Sequence, residues 1–167
     1  MKRVTKVSAG LFATWAISDL EELWTMSRNS KDVLRKLPKA VPLPEILRRE
    51  GISQRHVGTV IGMMGLVMGM AAALGVRSGG RSPVFRGVLL GFGLHGFGHL
   101  ASAAAMRRYT SGVATAPTMV IPFWLWARKE LAKEGITDVD RRAIAIAAAG
   151  VPLTVGIHAL VYKLLKE

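Results

Sequence analysis

Cysteine is missing from all 167 residues, which excludes disulfides and thiolate metal sites and leaves any metal to carboxylates and imidazoles. Acidic residues are scarce as well, 11 against 23 Lys and Arg, for a formal net charge of +12. That is the sign a nucleic-acid binder needs, yet the cations lie between apolar segments rather than on one binding element. Nucleic acid is therefore set aside as a partner, and membrane lipids with anionic headgroups are expected instead. Charge is absent altogether from four stretches, 57–76, 87–106, 109–127 and 143–162, each about the roughly 20 residues that cross a bilayer. A soluble helix keeps one face in water and rarely runs so long uncharged.

What is present agrees with that reading. Half the residues are hydrophobic and the mean hydropathy is positive. The pattern predicts an all-α fold, a polytopic membrane helical bundle, as a single domain over 1–167 in the cell membrane. Five transmembrane helices are expected, at about 8–27, 54–76, 84–106, 110–130 and 140–163. The first apolar segment, 7–18, is short and follows Lys2, Arg3 and Lys6, with Ala16 and Ser18 spaced like a cleavage site, so a signal peptide is the alternative there. Against it, Leu20, Leu23, Trp24 and Met26 continue a helical pattern.

Between these helices, 77–82 with Gly79 and Gly80 reads as a turn, and Thr137 or Asp138 is expected to cap the last helix. Pro117, Pro122 and Pro152 fall inside apolar segments and predict kinks. Gly58 and Gly62, Gly65 and Gly69, and Gly87 and Gly91 have the spacing of close helix packing, and Met63, Met64, Met68 and Met70 read as gap fillers. The basic stretch 28–55 is either a solvated loop or, around 43–47, a segment lying on the membrane surface. Lys and Arg divide almost evenly between the two sides, so they set no orientation.

Chemistry-bearing residues interrupt this apolar background. Glu21 and Glu22 stand side by side, with Ser18 one turn earlier; His95 and His99 are four apart. Antiparallel threading at about 1.5 Å per residue brings Glu22, His56, His99 and His158 within roughly 10 Å of one membrane side, with His95 one turn deeper. Ionisable groups inside a membrane are costly and are by default functional. Carboxylates and imidazoles on facing helices can bind a divalent transition metal, or work without one as an acid and a proton relay. The competing arrangements are pairing of Glu21 or Glu22 with Arg28 or Arg55, and histidines that only hydrogen-bond across helices. Haem is disfavoured because His95 and His99 share one helix.

The segments Trp15-Ala-Ile-Ser-Asp-Leu-Glu-Glu-Leu-Trp24, Leu94-His-Gly-Phe-Gly-His-Leu100 and Arg108-Tyr-Thr-Ser-Gly-Val-Ala-Thr-Ala-Pro117 resemble, in that order, the HxxEE family of small bacterial membrane proteins. The resemblance implies a shared polar site in which Glu21 and Glu22 match the EE and His95 and His99 match a later histidine pair. Two positions depart. Ser18 stands where the motif has His, so a metal site would need His56 or His158 to complete it, and Ser111 replaces an expected proline in a turn. The expected function is a membrane enzyme acting on a lipid-soluble or amphiphilic substrate. Its catalytic groups are Glu21, Glu22, His95 and His99, and its metal ligands are drawn from Glu21, Glu22, His56, His95 and His99. A transporter or ion-binding protein using the same residues is the alternative, and a non-catalytic membrane protein is the third.

Overall fold

The computed structural model describes residues 2–40, 44–137 and 139–166, and all regular structure among them is helical. Six α-helices follow in order: α1 Lys2–Lys36, α2 Glu45–Glu50, α3 Gln54–Arg77, α4 Pro83–Met106, α5 Ile121–Ala132 and α6 Arg141–Leu165, with one π-helical turn, Ala116–Val120, leading into α5. Contacts run α1 to α3, α3 to α6, α6 to α4, α4 to α5 and α5 back to α1, so the five longer helices form a ring.

Local chemistry explains most of the ends. Ser53, Ser82 and Asp140 cap α3, α4 and α6 by accepting from the N–H groups of His56, Phe85 and Ala143, and Pro83 opens α4, where its missing donor costs nothing. Pro38 follows α1, and the Arg48 guanidinium takes the Leu34 carbonyl in the last turn and the Leu37 and Pro38 carbonyls just beyond it. The last helix is thus capped by Asp140; Thr137 instead accepts from the N–H of Val139, and Asp138 lies outside the described residues.

Three of the five expected spans are borne out as helices long and apolar enough to cross a membrane: α3, α4 and α6. The other two differ for physical reasons. The first is far longer than 8–27, about 52 Å at 1.5 Å per residue, and charged groups are spread through it. The 110–130 segment begins as a loop, because Gly112 takes a φ of +81°, and α5 itself has 12 residues. Pro117 and Pro122 accordingly sit at helix starts, while Pro152 alone lies inside a helix. In the basic stretch, α2 buries none of its residues, and Leu43 lies outside the described ones.

The core occupies one half of the bundle. On α1 the buried positions Val4, Val7, Leu11 and Trp15 follow the helical repeat and meet Phe85, Leu89 and Phe92 of α4 and Trp124, Ala127 and Leu131 from α5. Gly65 admits the Trp15 ring, and Gly87 lets α4 close on Ile146 of α6. Of the methionines, Met68 is buried in this core whereas Met70 is exposed. The α1 stripe then continues on the same face as Ser18 and Glu22, both buried, where the side chains turn polar.

Candidate functional site

Glu22 ends that stripe one turn beyond Ser18, so the helical repeat that buries Val7 and Leu11 also buries a carboxylate. Such burial costs on the order of several kcal/mol unless the charge is compensated. Compensation comes from α4, where His95 and His99, four residues apart, present their rings to α1. His99 Nε2 lies 3.0 Å from Glu22 Oε1, and His95 Nε2 lies 3.7 Å from the same oxygen. The two Nε2 atoms are 2.8 Å apart. A tetrahedral ion with bonds of about 2.0–2.1 Å sets its donor atoms roughly 3.3 Å apart, and the three observed separations straddle that value. The side chains of Glu22 and His99 are 9% and 11% exposed, that of His95 60%. The site is walled on two sides and open on the third.

The neighbouring Glu21 faces elsewhere. Adjacent positions on a helix point about 100° apart, so one of the pair must leave the face of the other. Its carboxylate accepts from the Thr115 N–H at 2.8 Å, the Thr115 hydroxyl at 2.6 Å and the Ala114 N–H at 3.2 Å, and from the Tyr109 hydroxyl in a short contact. All four donors belong to the loop between α4 and the π-helical turn. Ser18 Oγ lies 3.1 Å from the same Thr115 hydroxyl, so the serine at the motif's histidine position sits on the loop side of Glu22 rather than among the three donors. The competing partners Arg28 and Arg55 are not what either glutamate meets here.

That loop also reaches His99. The Gly112 backbone packs against the ring. A Cβ at Gly112 would stand 2.4 Å from its Cε1 and 2.5 Å from its Nδ1. With Nε2 on Glu22, it is the Cε1 corner of the ring that lies against the loop. The sequence reading places 110–130 in a transmembrane helix, with a turn only at Ser111; the Tyr, Ser and Thr content of this stretch beside an intramembrane acid is the available signal for a polar partner.

His56 and His158 join each other instead of the three-residue cluster. His56 Nε2 and His158 Nδ1 are 3.0 Å apart with the rings stacked, tying α3 to α6. Asp19, outside the expected set, is half-buried on α1. Among the described residues, then, Glu22, His95 and His99 form the one group whose donor atoms could hold a metal ion; Glu21 and His56 stand apart from it.

Comparison with curated proteins and with solved structures gives no significant match. The profile of a family described as protein of unknown function with HXXEE motif matches residues 9–127, which take in the α1 carboxylates, both α4 histidines and the loop that binds Glu21. The chain belongs to this HXXEE family, with serine in place of the motif's first histidine.

Proposed function

We propose that this is a multi-pass membrane protein whose Glu22, His95 and His99 bind one divalent transition metal and use it on a lipid-soluble or amphiphilic substrate. The observation that carries this reading is the convergence of one carboxylate oxygen and two imidazole nitrogens, from two helices, with one of the three donors accessible. Structural metal sites are closed by four protein ligands, whereas catalytic ones keep a position for water or substrate, and three donors leave that position. A bound ion there would act as a Lewis acid on a carbonyl or phosphoryl oxygen, or make a nucleophile of its water.

The membrane part of the reading rests on α3, α4 and α6, and extends to α1 and to the segment 116–132 as further crossings. In α1 the carboxylates that disqualify it by composition are satisfied within the protein, by the histidines and by the 109–115 loop. Large apolar side chains point outward, among them Trp24, Leu66, Val151, Val155 and Leu164, which suits contact with acyl chains.

Elemental analysis of detergent-purified protein loaded with zinc, manganese, iron or cobalt tests the proposal. Stoichiometric retention of one of these, lost in Glu22→Gln and His99→Ala, is the expected result; a wild-type chain that retains none overturns it. Cation flux in liposomes that depends on Glu22, without turnover of any lipid, would instead favour a transporter.

A further inference from the structure

The motif's two glutamates have different partners, and the difference assigns them different work. Glu22 meets imidazole nitrogens. Glu21 meets four donors, all on the stretch Tyr109–Thr115, and two of these are backbone N–H groups. A carboxylate that collects backbone donors fixes a loop in place, because each N–H it accepts would otherwise need water or another acceptor. Further along α1 the loop is held twice more, by Asn29 on the Ser111 hydroxyl at 3.4 Å and by Asp32 on Arg108 at 2.5 Å.

The held loop has one structural consequence inside the bundle. Gly112, at a φ of +81°, packs against the Cε1 corner of the His99 ring with no room for a Cβ. Histidines that bind metal through one nitrogen commonly give the other to a carbonyl or carboxylate, which sets the tautomer and aims the ring. Here the loop backbone acts by contact: Nε2 faces Glu22 and His95 while Gly112 abuts the ring at Cε1 and Nδ1.

We propose that Glu21 is a positioning residue and not a metal ligand: by clasping the Tyr109–Thr115 loop it seats the Gly112 backbone on the His99 ring and so aims Nε2 at the metal position. The inference rests on the metal reading of Glu22, His95 and His99. It predicts that the two glutamates, though adjacent, fail differently when replaced.

The test uses the full chain in detergent, with cobalt(II) as the metal. In Glu21→Ala, cobalt still binds at the wild-type stoichiometry, its affinity falls about 10–100-fold, and its visible spectrum shifts because the His99 ring is re-aimed. Glu21→Gln, which keeps one acceptor oxygen for Thr115, falls between Ala and wild type. Glu22→Gln loses the stoichiometry itself. Hydrogen–deuterium exchange of the metal-free protein, read on the 109–117 segment, speeds up in Glu21→Ala.

If Glu21→Ala loses cobalt as completely as Glu22→Gln, Glu21 is a ligand and the inference is overturned. Faster exchange with unchanged affinity and spectrum also overturns it, since the loop would then be merely structural. If the wild type binds no metal, the proposed function fails by itself. The clasp is then decided by the His99 ring resonance in Glu21→Ala: a shift together with faster exchange supports the clasp, and either one unchanged refutes it.

Discussion

Gly112 combines a left-handed backbone with contact to an imidazole, and alanine there would meet both penalties. The φ of +81° disfavours any Cβ, and the added carbon would stand 2.4 Å from the His99 ring. Gly112→Ala is expected to weaken cobalt binding about 10–100-fold, measured by competition with a chelator. Gly93 offers the contrasting case. Its Cβ would stand 2.3 Å from the buried Trp124 ring in the apolar half. Gly93→Ala should destabilise the fold by about 1–3 kcal/mol while leaving cobalt stoichiometry intact, read by thermal melting and metal analysis. At this scale Glu22, His95 and His99 were legible, because a four-residue repeat and a common depth are visible in a sequence. The turning away of Glu21 was legible only in part: the angle between adjacent helix positions requires one glutamate to leave, but which one depends on where the loop lies. The pairing of His56 with His158 needed the packing of α3 on α6, which no local pattern encodes.

Among the elements, α6 depends on a single acid for its start. The Asp140 carboxyl accepts from the Ala143 N–H, which holds it below its usual value of 3.8; burial opposes this, and Arg86, 2.5 Å away, reinforces it. A carboxyl lowered in the folded state contributes stability above its unfolded pKa, and that contribution is lost as pH falls through the folded value. Melting in detergent should therefore drop between about pH 5 and about pH 3, and Asp140→Asn, which still caps but no longer titrates, should flatten that drop. An unchanged slope would place the acid sensitivity elsewhere. The helices α3 and α4 matched their expected bounds closely, since uncharged runs with serine caps mark both. The 110–130 segment did not, because a hydropathy run cannot distinguish a helix from a loop whose polar groups bind an acid on another helix. Asp140 was passed over as a cap because it stands three residues beyond the first capable side chain, Thr137.

Across the whole molecule, apolar packing is concentrated at the end where α1 begins, and the polar cluster occupies the opposite half. The exposed apolar side chains of α3 and α6 imply that the protein stays with membranes through an alkaline carbonate wash and leaves them only with detergent. Recovery in the wash supernatant would contradict the membrane reading. The ring order α1, α3, α6, α4, α5 was not readable from the chain, because antiparallel threading fixes direction and depth but not which helices become neighbours.

The division of the bundle into an oily half and a polar half makes occupancy a matter of folding as well as chemistry. On α1 the main apolar core ends short of Glu22, and Val60, Ile157 and Val161 form a separate small cluster on α3 and α6, so an ion bound as proposed would add its own tie to the polar half. Ligand linkage then sets the scale: at about 100 times the dissociation constant, an ion bound only by the folded chain adds about 2.7 kcal/mol to its stability. If the proposed ion binds, a chelator is expected to act as a selective denaturant, loosening the polar end of the bundle while the other holds.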